Sequence, residues 1–367
     1  MTKPVRVLQV VGILNCGGAE SMIMNLYRNI DREKVQFDFI VHSNEEGMYD
    51  REVKALGGMI YHCPRFSGKN LTVYRKWWKC FFQEHPEYQV LHSHMRSCAA
   101  LYFPIASKFG IKTIIHSHST SNGDGIQALV KNVMQMPLRY QADYLMACSQ
   151  RAGIWLYGEK ACNSSKYVFL PNAVDVEKYK MNDVIRSQYR KELGVEEKLV
   201  FGHIGRFHES KNHPFLLKVF AEIYKKNKNA VLLLIGDGEL RGMVEETIKE
   251  LQIGEAVILL GLRRDVAELL QAIDMLLFPS VWEGLPVTVI EAQAAGVPCI
   301  ISDNITTDVD ITELVHRLPI TDTTNWEKLA LSGLQKKDVS EEVKQSGFDV
   351  KESAKMLQTF YEKIIRK

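Results

Sequence analysis

Leu170-Pro171-Asn172-Ala173-Val174-Asp175 sits between two stretches of chain that share one rhythm, and it decides how the 367 residues divide. Before it, apolar runs at 5–11, 36–41, 59–62, 90–92, 113–116 and 144–147 read as strands. Segments of helical spacing separate them, such as 19–30, where Ile23, Leu26, Tyr27 and Ile30 recur on one face. After it the rhythm restarts at Lys198, with strands expected at 199–203, 231–235, 257–260, 275–278 and 299–301. Helices are expected between them at 214–225, 240–251, 266–271 and 287–295. Strands alternating with helices imply parallel sheets covered on both faces. Pro171 cannot donate to a central ladder, and the residues to Glu197 are polar, so 171–197 reads as linker. The expectation is an α/β chain of two Rossmann-like domains, 1–170 and 198–348, facing each other across a cleft. A final helix at 349–367 packs back toward the first domain.

The charge follows the same division. The total is 46 Lys+Arg against 44 Asp+Glu, a net of +2, which argues against a dedicated nucleic-acid binder. Residues 1–170 carry 20 basic and 13 acidic residues, a net of +7, and residues 171–367 carry 26 and 31, a net of −5. The halves therefore face different partners. No run reaches the roughly 18 apolar residues of a membrane span. The start, with Lys3 and Arg6 before an apolar run, reads as a first strand and not a signal peptide, because no small-residue cleavage site follows. Seven cysteines (Cys16, Cys63, Cys80, Cys98, Cys148, Cys162, Cys299) never fall at CxxC spacing, which suits reduced thiols in the cytoplasm.

The chemistry concentrates in Glu283-Gly284-Leu285-Pro286-Val287-Thr288-Val289-Ile290-Glu291-Ala292, directly after the strand at 275–278. Pro286 suits a first helical turn, where its missing N–H costs nothing. The free amides of Leu285 and Val287 would then form an anion site at a helix N-terminus. Two carboxylates beside a phosphate would repel it, so Glu283 and Glu291 suit sugar hydroxyls instead. Gly17 and Gly18 open the first helix and allow close backbone approach. Gly12-x4-Gly17 is not a Walker loop, since Gly18-Ala19 stands where Lys-[Ser/Thr] is required.

E-G-L-P-x4-E-A followed by A-A-G-V-P resembles the signature of the GT4 family of retaining glycosyltransferases of GT-B fold. Gly17-Gly18-Ala19-Glu20, His116-Ser117-His118-Ser119-Thr120, Pro171-Asn172-Ala173-Val174-Asp175, Gly205-Arg206 with Lys211, Gly236-Asp237-Gly238-Glu239 and Gly261-Leu262-Arg263 extend the likeness over nearly the whole chain. The H-S-H-S-T form is most similar to EpsF-like exopolysaccharide and capsule enzymes. The resemblance implies a hexosyl transfer from a nucleotide-sugar, expected to be a UDP-sugar, held mainly by the second domain. The acceptor, a saccharide expected on a polyprenyl diphosphate, would bind the basic first domain at the inner face of the cell membrane.

Arg206 and Lys211, just after a strand, would neutralise the departing diphosphate where charge develops. The family pattern places Gly236 and Gly238 beside the nucleotide, Leu262-Arg263 against the base and Glu291 at the ribose. It places Glu283 on the donor sugar and His118 at the reaction centre as a hydrogen-bonding group, with His94 and Arg96 on the acceptor side. It also implies no cofactor and no metal, the nucleotide-sugar being a substrate. His92-x-His94 and His116-x-His118 do raise a metal site, but no acidic or cysteine ligand at suitable spacing joins them. Three departures stand out: Ala173 and Asn212 replace usual glycines, and Ser302-Asp303-Asn304-Ile305 lacks a Gly-Gly turn.

Two rivals remain, one enzymatic on the same fold and one from another class. A nucleotide-sugar epimerase of GT-B type would not pair GR-x4-K with E-x7-E, and a non-catalytic nucleotide- or glycan-binding module would have lost Arg206, Lys211 or Glu283. The stretch 69–82 (KNLTVYRKWWKCFF) allows two readings, a core helix with solvated cations or a helix drawn to anionic lipid.

Overall fold

The structure, a computed structural model, describes residues 4–15, 17–119, 123 and 125–366. Cys16 and Thr120, from the cysteine set and the H-S-H-S-T motif, lie outside the described residues. Two compact units form: one of 1–173 with 350–367, the other of 174–349.

The first unit is built on a seven-stranded sheet of β1 (Val5–Val11), β2 (Val35–Val41), β3 (Ile60–His62), β4 (Val90–Ser93), β5 (Lys112–Ser117), β6 (Tyr144–Ala147) and β7 (Tyr167–Phe169). Its order is β3-β2-β1-β4-β5-β6-β7, and every pairing is parallel. Strands covered on both faces need apolar side chains at nearly every position, and Val7, Leu8, Val10 and Val11 are all buried. The Val350–Ile365 helix belongs to this unit, and its Ala354, Leu357, Tyr361 and Ile364 join the core cluster that holds Val7 and Phe37. With that helix counted, the unit holds 25 Lys+Arg and 15 Asp+Glu, a net of +10, and the other unit 21 and 29, a net of −8.

The Leu71–Glu84 helix turns Tyr74, Trp78, Phe81 and Phe82 into the core, and Trp77 stacks on Phe81 with ring centroids 5.1 Å apart. The aromatic stripe expected to meet either core or lipid is therefore core. Tyr74 and Trp78 are fully buried, Trp77 is half-buried, and Leu71 and Val73 are exposed.

The second unit carries β8 (Leu199–Ile204), β9 (Ala230–Ile235), β10 (Val257–Gly261), β11 (Met275–Phe278), β12 (Cys299–Ser302) and β13 (Val315–Leu318), in the order β10-β9-β8-β11-β12-β13. Residues 174–197, read from sequence as linker, are part of this unit. The Asp183–Glu192 helix is capped by the Asn182 side chain and tied to Asp274 by Arg186 (2.5 Å) and Arg190 (3.1 Å). Its polar composition hid it, because ion pairs and not an apolar stripe fix it in place.

In both sheets the strand order reverses beside the first strand, between β1 and β4 and between β8 and β11. Open α/β sheets bind ligands outside the carboxyl ends of strands at such a point.

Candidate active site

At the β8/β11 switch point two loops meet. Lys211 follows β8 and Glu283 follows β11, and Lys211 Nζ lies 2.6 Å from Glu283 Oε1, both side chains about 15% exposed. The ammonium also sits 4.6 Å from the centroid of the Phe278 ring, which closes off one side with a π face. The backbone after Lys211 turns sharply at Asn212 (φ 55°, ψ 48°) before the His213–Lys226 helix. That left-handed conformation is why glycine would suit the position, and asparagine is among the few other residues that adopt it readily.

Beside this pair is a cavity of about 620 Å³ lined by Arg206, Gly236, Asp237, Gly238, Leu262 and Arg263 with parts of β8 and β9. Close backbone approach shapes it. A Cβ on Gly236 (φ 141°) would stand 2.0 Å from the carbonyl oxygen of Gly205, and one on Gly238 would stand 2.5 Å from that of Phe207. Arg206 extends into solvent and is held by Glu239, Nη2 to Oε2 at 3.0 Å. Arg263 pairs with Asp265 (Nε to Oδ1, 2.8 Å), while Leu262 is 81% exposed. Five of the expected nucleotide and phosphate residues thus share one cavity.

The Val287–Ala294 helix starts after Pro286, and no side chain caps it, so its first amides are free for an anion. Leu285 can contribute only backbone, since its side chain is in the core. Glu291 accepts a 2.7 Å hydrogen bond from the Tyr179 hydroxyl. Burial pushes the Glu291 carboxyl above the ordinary range, and the Tyr179 hydrogen bond pulls it back. Sequence reading missed Tyr179, which stands 112 residues from its partner.

In the first unit, four imidazoles stack at the ends of β4 and β5. The ring centroids of His92 and His94 are 4.5 Å apart, and those of His116 and His118 are 4.1 Å apart. A hydrogen-bond chain fixes the protons of two of them, His94 and His118. Gln9 Nε2 donates to the Tyr361 hydroxyl (3.2 Å), which shares a 2.6 Å hydrogen bond with His92 Nδ1. Gln9 Oε1 is left to accept from His94 Nε2 (2.9 Å), so His94 Nδ1 is bare and accepts from His118 Nε2 at 2.7 Å. The tautomer of His118 is thereby set, with a lone pair on Nδ1. Burial, with the charge of Arg96 second, lowers the His118 pKa to about 3, and burial with the His118 charge does the same to His92. Both rings are neutral near pH 7.

Nitrogens of His92, His94 and His116 lie within 4.8 Å of one another, the spacing of a candidate metal centre. To serve there, His94 would have to release Gln9 or His118. The near-parallel rings, 12° between His92 and His116, aim their in-plane lone pairs side by side and not at one point. Arg96 lies over the Trp155 ring at 4.9 Å and points toward Ser119. Gly17 and Gly18 begin the Gly18–Asn29 helix, and a Cβ at Gly18 would meet nothing within 4 Å. A second cavity, about 650 Å³, lies beyond β1, β2 and β4 and is lined by Gly12, His42, Glu45, Arg65, Phe66 and Met95 among others. No motif marked it, because its walls come from separate loops.

A basic and an acidic residue paired beside a glycine-walled cavity on a parallel α/β sheet suit an anionic, hydroxyl-bearing ligand. Residues 16–178 match the family model described as Glycosyltransferase Family 4, and residues 185–332 match Glycosyl transferases group 1. The putative glycosyltransferase EpsF of Bacillus subtilis is 34% identical over 97% of this chain and 96% of its own. An Escherichia coli UDP-Gal:alpha-D-GlcNAc-diphosphoundecaprenol alpha-1,3-galactosyltransferase is 27% identical over 59% of this chain and 58% of its own. Among solved structures, Anabaena HepE in complex with UDP superposes with a TM-score of 0.74 at 16% identity, covering 99% of this chain and 98% of that one. A glycosyltransferase from Rickettsia africae gives 0.78 at 15%, covering the whole of both chains. The chain belongs to the GT4-type glycosyltransferases, and its fold is GT-B.

Proposed function

We propose that this glycosyltransferase moves a sugar from a UDP-sugar to a saccharide carried on a polyprenyl diphosphate, with retention at the anomeric carbon and without a metal, in exopolysaccharide or capsule assembly. The observation that carries the reading is the Lys211–Glu283 pair beside the cavity lined by Arg206, Gly236, Gly238, Leu262 and Arg263. Uridine enters against Leu262 and Arg263, its ribose turns to Glu291, and the diphosphate crosses the glycine-walled loops. Lys211 then exchanges Glu283 for the diphosphate, and Glu283 takes a hydroxyl of the donor sugar. As the bond from C1 to the β-phosphate oxygen breaks, its electron pair goes to that oxygen. Arg206, Lys211 and the free amides before Thr288 hold the charge, the task a divalent cation performs elsewhere. The acceptor hydroxyl attacks from the face the diphosphate leaves, and its proton passes to the departing β-phosphate oxygen.

The names of two relatives support the donor and the acceptor. The Escherichia coli enzyme takes UDP-Gal and a diphosphoundecaprenol-linked sugar, and HepE binds UDP-glucose. The protein would work at the cytoplasmic face of the membrane, and nucleic acid is not a partner. A thermal-shift panel of nucleotide-sugars tests the donor half. UDP-sugars should raise the melting temperature of the wild type, and Lys211→Met should abolish the shift. A rise with another nucleotide-sugar alone would replace the base assignment.

A further inference from the structure

The Ile126–Gln135 helix carries its apolar stripe on the side away from the protein. Ile126, Leu129, Val130 and Val133 are 82, 63, 51 and 58% exposed, while Ala128 and Gln135 are buried. At 100° per residue the four exposed aliphatics fall within about a third of the helix circumference, and Ala128 and Gln135 lie opposite. Met136 (56%) and Tyr140 (79%) continue the stripe into the next turns. A helix on a globular surface normally shows the reverse arrangement, and the Leu71–Glu84 helix of the same unit does so. Exposed large apolar residues elsewhere among the described residues are scattered, whereas these six fall within 15 positions. Contiguous apolar patches of this kind on a protein surface mark an interaction site.

The surrounding charge indicates the partner. From Tyr88 to Ala142 the sequence holds five cations, Arg96, Lys108, Lys112, Lys131 and Arg139, and one acid, Asp124. Lys131 is exposed on the helix itself, and the Ala99–Lys108 helix, which packs beside it, ends on exposed Lys108. The whole unit carries a net of +10. An outward apolar stripe on a strongly basic unit is the pattern of a helix lying in the headgroup layer of an anionic bilayer. We propose that the Ile126–Gln135 helix, with Met136 and Tyr140, is the element that docks this glycosyltransferase on an anionic membrane surface, its aliphatic stripe entering the acyl boundary and the net positive charge of the unit drawing it to phosphate headgroups. The inference rests on the reading of the acceptor as lipid-borne, and it moves the lipid contact from the aromatic helix to this one.

The test is co-sedimentation of the full chain with phosphatidylcholine vesicles, plain or doped with phosphatidylglycerol. The wild type should pellet with the doped vesicles, and salt should weaken the binding. The triple variant Leu129→Ser/Val130→Ser/Val133→Ser alters only exposed side chains and should lose at least about tenfold in partitioning. It should keep the melting temperature, the UDP-sugar thermal shift and turnover of a short-chain, water-soluble acceptor. Val73→Ser on the aromatic helix should leave partitioning unchanged. A wild type that stays in the supernatant with every vesicle, or a triple variant that binds as well as the wild type, overturns the proposal. So does a wild-type dimer in size exclusion that the triple variant dissolves, since a second copy would then cover the stripe. Loss of vesicle binding with an intact UDP-sugar shift separates this site from the donor site, and absence of the shift with intact vesicle binding refutes only the donor reading.

Discussion

Removing either member of the Lys211–Glu283 pair should affect stability and catalysis differently. Two unit charges a few ångströms apart attract by about 4 kcal/mol at an effective dielectric near 20. Both side chains are about 15% exposed, so desolvation cancels much of that gain. Lys211→Met leaves a partly buried carboxylate alone, and Glu283→Gln leaves an ammonium alone. Each should cost about 1–2 kcal/mol, and the double variant about the same rather than twice as much. For a unit of this size each kilocalorie lowers the melting temperature by about 2–4 °C. Catalysis loses more, because Lys211 is asked to stabilise charge that exists only as the diphosphate leaves. Loss of one such preorganised group costs about 10²–10³ in kcat. Paired urea melts and initial-rate measurements on the four proteins read both quantities. Strict additivity of the two stability changes would show that the ions do not interact, and a kcat within about threefold of wild type for Lys211→Met would remove the lysine from the leaving-group site.

Gly236→Ala sets a methyl group against the Gly205 carbonyl, which is backbone and cannot swing away. Denaturation should show a loss of at least about 2 kcal/mol, and calorimetry should show no UDP binding; a stable, UDP-binding variant would contradict the close approach. Tyr179→Phe removes the hydrogen bond that holds the Glu291 carboxyl down, so its pKa rises further. The KM for donor should increase and its acid-side loss should move to higher pH with kcat little changed; an unchanged KM profile would detach Glu291 from the donor. His92 and His118 have folded pKa values near 3, below the unfolded value of about 6.5. Above pH 6.5 neither state holds those protons, and below it the unfolded chain takes them up first. Stability should therefore fall with acidity by about 1.4 kcal/mol per pH unit for each ring between pH 6 and 4. Gln substitutions at His92 and His118 should flatten that slope, and an unaltered slope would mean the rings charge within the fold.

Much of this architecture was legible because parallel strands buried on both faces must be apolar at nearly every position, as in β9. The strands that escaped notice, β7 and β13, stand at sheet edges, are three and four residues long, and are half-exposed, so no apolar run announces them. The Asp183–Glu192 helix was invisible for the opposite reason, being anchored through arginines to Asp274. Short motifs exposed Arg206, Lys211, Glu283 and the glycine loops, since each lies just past a strand end. Partners distant in sequence left no such trace: Gln9 reaches Tyr361 across 352 positions to set the histidine chain. Periodicity also finds an apolar stripe without saying which way it faces. The wide stripe of Leu71–Glu84 points inward, and the narrower one of Ile126–Gln135 points out.

The most direct measurement is transfer itself. Purified protein, a UDP-sugar panel and a polyprenyl-diphosphate-linked saccharide are incubated with EDTA, and the anomeric configuration of the product is read by NMR. The account predicts a product with the α configuration of its UDP-sugar donor, formed at the same rate with or without the chelator. A β-linked product would contradict retention, and loss of activity with EDTA would contradict leaving-group stabilisation by Arg206 and Lys211 alone. Absence of transfer from every nucleotide-sugar would contradict the catalytic reading as a whole.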